Sequence, residues 1–178
     1  VDTTAFSVQV RAWDFSATKD GGDFTAGTLT GMTPDKQATI LDAKHVQYDP
    51  AGVDKLLVET ATEDGKEVVI SIPIDPGAAG QTAVFHFQQL LKDYTVVTRP
   101  TSGSKEERAR SFASAINSGD VSMVNGEWAN GMKRELRNFP LSDRDDYVDS
   151  GADGYNECFE RVSKGLVITG FRPQQNLI

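Results

Sequence analysis

The sequence has few of the residues that cross-link secreted domains or build zinc sites. It contains one cysteine, Cys158, and two histidines among its 178 residues. A single cysteine cannot form an internal disulfide, and it cannot supply the grouped thiolates of a structural zinc site. The composition therefore favours a protein of a reducing compartment.

Long apolar runs are also absent from the sequence. No stretch approaches the roughly 20 residues that a membrane-spanning helix requires. The start, VDTTAFSVQV, has neither the basic segment nor the continuous apolar segment of a signal peptide. The chain does not begin with Met, so we expect a processed protein or an excised domain. With 38% hydrophobic residues, we predict one domain over residues 1–178, with a core over about 6–162 and a C-terminal tail over 163–178.

Positive charge is scarce relative to negative charge. The formal net charge is −8, whereas proteins that bind nucleic acids usually present a basic face to the phosphates. Bound cations would offset part of this excess if some carboxylates are metal ligands. The cationic residues are also grouped, in patterns that most simply describe solvated helix faces, at Lys105, Arg108 and Arg110 and at Lys133, Arg134 and Arg137. Net charge therefore leaves nucleic-acid binding open.

The order of the predicted elements indicates a mixed α/β fold. Alternating apolar residues predict a strand from Phe6 that ends at Asp14, a turn at Lys19–Asp23, and strands over 24–32 and 38–48. Helix and strand signals then alternate, with strands over 67–74, 94–97 and 121–124 and helices over 50–62, 78–91, 104–117, 127–137 and from 142 or 143 to 158. We therefore predict a central sheet of three antiparallel strands followed by parallel strands, flanked by helices.

Aspartates recur where predicted strands end and where a predicted helix begins. Asp14 ends the first strand in RAWDFSAT, and Asp75 follows the apolar run of SIPIDPGAAGQ. Asp145, Asp146 and Asp149 open the last predicted helix in SDRDDYVDSGADG. Carboxylates without a nucleophilic Ser, Cys or His partner suit Mg²⁺ or Mn²⁺, which prefer oxygen ligands and retain waters for a phosphate substrate. The pattern predicts phosphodiester hydrolysis.

Other interpretations of the glycine-rich and acidic segments have less support in the sequence. A Walker A loop is excluded because Gly80 is followed by Gln81 rather than by lysine. A calcium loop starting at Asp149 would lack its third ligand and a paired second loop, although it matches four EF-hand positions, at Asp149, Asp153, Gly154 and Glu160. His45 and His86 are interpreted as structural residues because neither lies near a candidate nucleophile in the sequence.

Five segments, in this order, resemble the C-terminal nuclease domain of the large terminase subunit of tailed bacteriophages. They lie within about residues 6–160 and read RAWDFSAT, GGDFTAG, VETATEDGKEVVISIPIDPGAAG, RPTSGSKEERARSFASAINSGDVSMV and GEWANGMKRELRNFPLSDRDDYVDS. The resemblance implies an RNase H-like fold and an endonuclease that uses two divalent ions, Mg²⁺ or Mn²⁺. The expected substrate is concatemeric double-stranded viral DNA, cut in the host bacterial cytoplasm during packaging. In the full-length protein, the resemblance implies an ATPase motor, a portal and a small terminase subunit as partners.

The resemblance also assigns roles to the acidic residues. Asp14 matches the first catalytic acid of the family and Asp75 matches the second. Asp146 and Asp149 are the favoured candidates for the third, with Asp145 as an additional candidate metal ligand. The two-metal hypothesis places Asp14 between both ions.

Cationic residues are candidates for contacts with the DNA backbone, which position the duplex without reading its sequence. Lys105 and Arg108 are the first candidates, followed by Arg11 and Lys133. We expect a monomeric isolated domain that does not associate with membranes.

The chain departs from the family pattern at two positions. Arg144 stands where histidine is common, and Ser150 stands where alanine is usual. Two alternatives remain open: an RNase H-like resolvase or ribonuclease that uses the same acids, and a noncatalytic metal-binding module that interacts with DNA.

Overall fold

A mixed six-stranded sheet forms the centre of the protein. The structure is a computed structural model that describes residues 6–15, 24–100, 104–141 and 144–166. The predicted turn at Lys19–Asp23 and most of the predicted tail lie outside these residues. The strands are β1 (Val8–Asp14), β2 (Thr25–Met32), β3 (Ala38–Val46), β4 (Val69–Ile74), β5 (Val96–Pro100) and β6 (Val121–Met123).

The strands lie in the order β5-β4-β1-β2-β3-β6. β1, β2 and β3 are antiparallel, whereas β4 runs parallel to β1, β5 parallel to β4, and β6 parallel to β3. The prediction of three antiparallel strands followed by parallel strands is therefore confirmed.

The described residues also form five helices, α1 (Pro50–Asp64), α2 (Ala78–Leu90), α3 (Lys105–Ser118), α4 (Ala129–Asn138) and α5 (Asp146–Ser163). Two of the helices begin at capped residues, since the Asp49 carboxylate accepts a hydrogen bond from Gly52 N and Ser104 forms a capping box with Glu107. α5 begins a few residues later than predicted and continues past Cys158 to Ser163. None of the helices in the described ranges is sufficiently long and apolar to span a membrane.

Alternation along β1 directs its side chains to opposite faces of the sheet. Val8, Val10 and Ala12 belong to the core formed with α3, α4 and α5, whereas Trp13 belongs to the core formed with α1 and α2. Successive side chains of a strand point to opposite faces, so Asp14 continues the face that α5 covers.

Small residues allow α5 to lie directly on β1 and β2. A Cβ on Gly154 would lie 2.9 Å from Thr30 Oγ1 and 3.5 Å from Ala12 Cβ, so a larger residue would push the helix off the sheet. Ser150 Oγ lies 2.8 Å from Thr28 Oγ1. The calcium-loop hypothesis is wrong, because Asp149–Glu160 is continuous helix and Gly154 serves packing rather than a loop turn. This close packing brings the first turn of α5 to the end of β1.

Candidate active site

Carboxylates from β1 and α5 form one electrostatic cluster. Asp14 is the last residue of β1, Asp146 and Asp149 lie in the first turn of α5, and Asp145 directly precedes that helix. Burial, followed by the negative charges of Asp149 and Asp146, raises the pKa of Asp14 to about 8. Asp145 contributes in the same direction, and Lys105 opposes the shift. Three of the other predicted acids thus contribute to the raised pKa of Asp14.

Asp75 reaches the same edge of the sheet from β4. Because β4 runs parallel to β1, with Ser71 beside Ala12, the two strands end at the same edge. Asp75 follows the last residue of β4 and is exposed. A Cβ on Gly80 would overlap the backbone carbonyl of Asp75, so only glycine lets the first turn of α2 close onto this loop. The exposed carboxyl end of a parallel strand is the usual place for functional residues in α/β folds.

The Lys105 ammonium group lies between two of the carboxylates. Its Nζ is 2.7 Å from Asp145 Oδ1 and 2.9 Å from Asp149 Oδ2. Arg108 Nη2 adds a longer contact of 3.4 Å with Asp149 Oδ1. Although partial burial opposes the change, the hydrogen bonds to Asp145 and Asp149 raise the pKa of Lys105. The two first candidates for DNA contact therefore lie inside the acidic cluster, and their role toward DNA stays a prediction.

His45 contacts the cluster as well, which the sequence analysis missed. Its Nε2 lies 3.2 Å from Asp146 Oδ2. The imidazole stacks between Phe24, at 4.2 Å between ring centroids, and Tyr147, at 4.5 Å. Arg144 places its guanidinium 4.4 Å from the centroid of the Phe24 ring. The resulting stack holds the imidazole in place. His45 therefore positions the Asp146 carboxylate and also packs between the aromatic rings.

A bulge in β3 explains why the alternation pattern did not reveal His45. Leu29 pairs with Asp42 and Thr30 pairs with Ile40, so one residue of β3 is skipped. Ile40 and Ala43 lie three residues apart, so strict alternation would place them on opposite faces of the sheet. Because of the bulge, both belong to the core under α5. His45 follows Ala43 on that face. A sequence pattern without the bulge places His45 on the opposite side.

The prediction that Arg11 contacts DNA is wrong. Its side chain is 2% exposed and donates from Nε and Nη2 to Asp64 at 2.7 Å each. Nη2 also donates to Asp42 Oδ2 at 2.9 Å, and Nη1 donates to the Gly27 carbonyl at 3.0 Å. The physical reason is alternation, because Arg11 shares the face of Trp13 and turns away from Asp14. Lys133 is exposed on α4, and its contact with DNA stays a prediction.

The chemistry of the donor set fits a hard divalent cation. The acids offer only carboxylate oxygens. Burial, together with the nearby negative charges, disfavours the ionised form of Asp14, and a nearby cation would favour it. Within the described ranges, no group of three Asp, Glu, His or Cys side chains is already arranged as a ligand set. The Lys105 ammonium lies between Asp145 and Asp149 instead. Metal binding to these two acids therefore requires Lys105 to move.

The strand order, together with acids at the ends of β1 and β4 and at the start of α5, defines an RNase H-like domain. The chain belongs to the terminase RNaseH-like domain family, whose model matches residues 11–157. None of the curated protein sequences matches the chain. Family membership supports a nucleic-acid-cleaving function.

Solved structures show the same fold at low sequence identity. The large terminase nuclease from thermophilic phage G20c with bound zinc is 18% identical, with a TM-score of 0.64, over 84% of this chain and 81% of that chain. The same nuclease with bound magnesium is 16% identical over the same shares, with a TM-score of 0.59. The Fowlpox virus resolvase in complex with Holliday junction DNA is 10% identical, with a TM-score of 0.55, over 86% of this chain and 98% of that chain.

Proposed function

We propose that this domain is a metal-dependent endonuclease that cuts double-stranded viral DNA during genome packaging. The observation that carries the proposal is the cluster of Asp14, Asp146 and Asp149 at the carboxyl edge of the sheet, where β4 also delivers Asp75. Family membership supports it. Further support comes from the phage G20c nuclease, which was solved with bound zinc, magnesium and cobalt.

The acidic residues would hold two Mg²⁺ or Mn²⁺ ions through Asp14, Asp75, Asp146 and Asp149, with Asp145 adjacent. Such ions, when bound, activate a water for in-line attack on phosphorus and stabilise the leaving oxygen. The chain orients this ligand set through its own contacts. β1 and α5 fix Asp14 and Asp149 by packing, and His45 holds Asp146 through the contact with Nε2.

Lys105 and Arg108 supply positive charge at the edge of the cluster. Both contact Asp149, and the Lys105 side chain is 47% exposed, so it can reach a ligand outside the protein. If Lys105 leaves the carboxylates when metal binds, its ammonium becomes a donor for a phosphate of the substrate. Arg108 could contact a neighbouring phosphate, and such contacts hold DNA without sequence preference.

The whole packaging protein extends the proposal beyond this domain. We propose that, in the full-length protein, this domain acts together with an ATPase motor, a portal and a small terminase subunit in the host bacterial cytoplasm. The cut products would carry a 5′ phosphate and a 3′ hydroxyl. Family membership motivates this assignment.

Cleavage of supercoiled plasmid tests the proposed function. Reactions contain Mg²⁺, Mn²⁺, Ca²⁺ or EDTA, and compare the wild-type chain with Asp14→Asn, Asp75→Asn and Asp146→Asn. Asp35→Asn is the matched control, since Asp35 lies in an exposed turn between β2 and β3. We expect nicking and linearisation with Mg²⁺ or Mn²⁺ only, lost in the three site variants and retained in the control. Cleavage in EDTA, or full activity in the site variants, would contradict the proposal.

A second arm of the experiment compares substrates. Linear duplex, a four-way junction and an RNA–DNA hybrid of the same length are offered in separate reactions at equal concentration. Preferential cleavage of the junction or the hybrid would favour a resolvase or a ribonuclease over a packaging nuclease. Metal-dependent stabilisation without turnover of any substrate would favour a noncatalytic module.

A further inference from the structure

A cationic cleft opens beside the carboxylate cluster, between α4 and the beginning of α5. Its volume is about 710 Å³. We call it the α4 cleft and define it by six of its lining residues, His45, Arg134, Arg137, Leu141, Arg144 and Tyr147. It is distinct from the acidic cluster in its charge.

The α4 cleft adjoins the proposed active site. His45 lines the cleft, and its Nε2 lies 3.2 Å from Asp146 Oδ2. Tyr147 also lines the cleft and follows Asp146 directly in α5. The stack of Arg144, Phe24, His45 and Tyr147 therefore separates the cationic cleft from the carboxylates by one layer of side chains. A polymer that passes over this layer from the active site would reach the cleft.

α4 presents its cationic residues outward and its acidic residue inward. Glu135 is 7% exposed and accepts a hydrogen bond from Val148 N at 2.9 Å, which ties the helix to α5. Lys133, Arg134 and Arg137 are exposed. In the described part of the chain, these three side chains form no ion pair with a carboxylate. Their charges are thus available to an external anion.

Among the described residues, the exposed cations of α4 differ from many other cationic side chains of this protein in having no acidic partner. The net charge is −8, and many cationic side chains pair with acids inside the protein, as Arg99 does with Glu157 at 2.8 Å and Lys44 with Glu63 at 3.1 Å. Exposed cations grouped on one helix of a chain with net negative charge form a local surface at which an anionic partner can bind. A phosphodiester backbone that continues from a neighbouring active site has the complementary charge.

We propose that the α4 cleft binds the phosphodiester backbone of duplex DNA on one side of the phosphate that is cut. Arg134 and Arg137 contact phosphates, and the exposed Leu141 packs against sugars at the edge of a groove. The inference rests on the proposed function, because it takes the acidic cluster as the place where the duplex is cut.

Duplex binding without turnover tests the inference. The probe is a fluorescent duplex of about 20 base pairs, titrated by anisotropy at several salt concentrations, with Asp14→Asn as the background to prevent cleavage. The test variant carries Arg134→Gln and Arg137→Gln in that background. The matched control carries Lys66→Gln and Lys92→Gln, which remove the same charge from exposed positions after α1 and α2, on the other face of the sheet.

We expect the test variant to bind the duplex about tenfold more weakly or worse at 0.1 M salt, and its slope of log affinity against log salt to fall by about 2. The control should keep the binding and the slope of its parent. Equal binding by test and control variants would overturn the inference and leave the cleft to another anionic partner, such as an acidic protein segment. Absence of duplex binding by the folded parent would overturn it too.

Cleavage kinetics distinguish this inference from the proposed function. In the otherwise wild-type chain with Mg²⁺ or Mn²⁺, Arg134→Gln with Arg137→Gln should raise KM for duplex and leave kcat within about threefold, since these residues lie outside the reacting groups. If KM is unchanged while metal-dependent cleavage is intact, the inference about the α4 cleft is wrong and the proposed function is not affected. Loss of cleavage in the wild-type chain would count against the proposed function instead.

Discussion

Replacement of Lys105 by methionine gives the sharpest test of how the acidic cluster binds metal. Methionine keeps an unbranched side chain of similar length but removes the ammonium that lies 2.7 Å from Asp145 and 2.9 Å from Asp149. If divalent metal uses these carboxylates, it must displace the ammonium. The variant should therefore bind metal more tightly than the wild-type chain.

The expected gain follows from the exposure of the ion pairs. The Lys105 side chain is 47% exposed, Asp145 is 31% exposed and Asp149 is 10% exposed. Exposed ion pairs contribute about 0–1 kcal/mol, whereas hydrogen bonds to charged groups contribute about 1.5–3 kcal/mol. After allowance for solvent screening of the half-exposed ammonium, displacement costs about 1–2 kcal/mol, which corresponds to about 5- to 30-fold in dissociation constant.

Calorimetric titration of Mn²⁺ or Ca²⁺ into the protein without DNA measures this change directly. Lys55→Met is the matched control, because Lys55 pairs with Glu59 at 3.7 Å on an exposed face of α1. In EDTA, the Lys105→Met variant should melt at a lower temperature, since Asp145 and Asp149 lose their cation. An affinity for metal equal to or weaker than that of the control would refute the reasoning, because ions would then bind away from these two acids.

Two further predictions concern groups on either side of β1. Arg11→Met should lower the free energy of unfolding by about 3–5 kcal/mol in urea titrations, since it leaves the buried Asp64 without its partner, and duplex affinity should not change. Burial raises the pKa of Asp14 from an ordinary 3.8 to about 8, so the contribution of Asp14 to the stability of the metal-free domain should be largest below about pH 4 and should be lost as the pH rises towards 8. Asp14→Asn should flatten this dependence in thermal melts in EDTA between pH 5 and 8.5; an equal decline in the variant would assign it to other groups.

The alternation of side chains along strands accounts for most of what was predicted correctly from the sequence. Val8, Val10 and Ala12 predict the buried face of β1, and Asp14 continues it. The same rule, applied to the intervening residues, places Arg11 with Trp13 on the opposite face. The prediction that Arg11 contacts DNA was thus avoidable, since a cation on the far side of a central strand has helices above it rather than solvent.

Contacts that depend on other elements were beyond the sequence. The partner of Arg11 is Asp64 at the end of α1, and nothing local in either segment indicates the pairing. The role of His45 depends on a bulge in β3 that changes the face of the residues after it. Lys105 begins α3, and only the packing of α3 beside α5 brings its ammonium to Asp145 and Asp149. These contacts join segments that are far apart in the sequence, whereas the periodicity of a sequence gives information only on local structure.

The structure offsets the charge repulsion within the acidic cluster in three ways. Asp146 and Asp149 lie in the first turn of α5, where the partial positive charge of a helix N-terminus stabilises carboxylates. Lys105 and Arg108 pair with Asp149. Asp14 retains a proton at neutral pH because its pKa is about 8. Metal that binds there must displace the ammonium and the proton, so its affinity should rise with pH up to about 8.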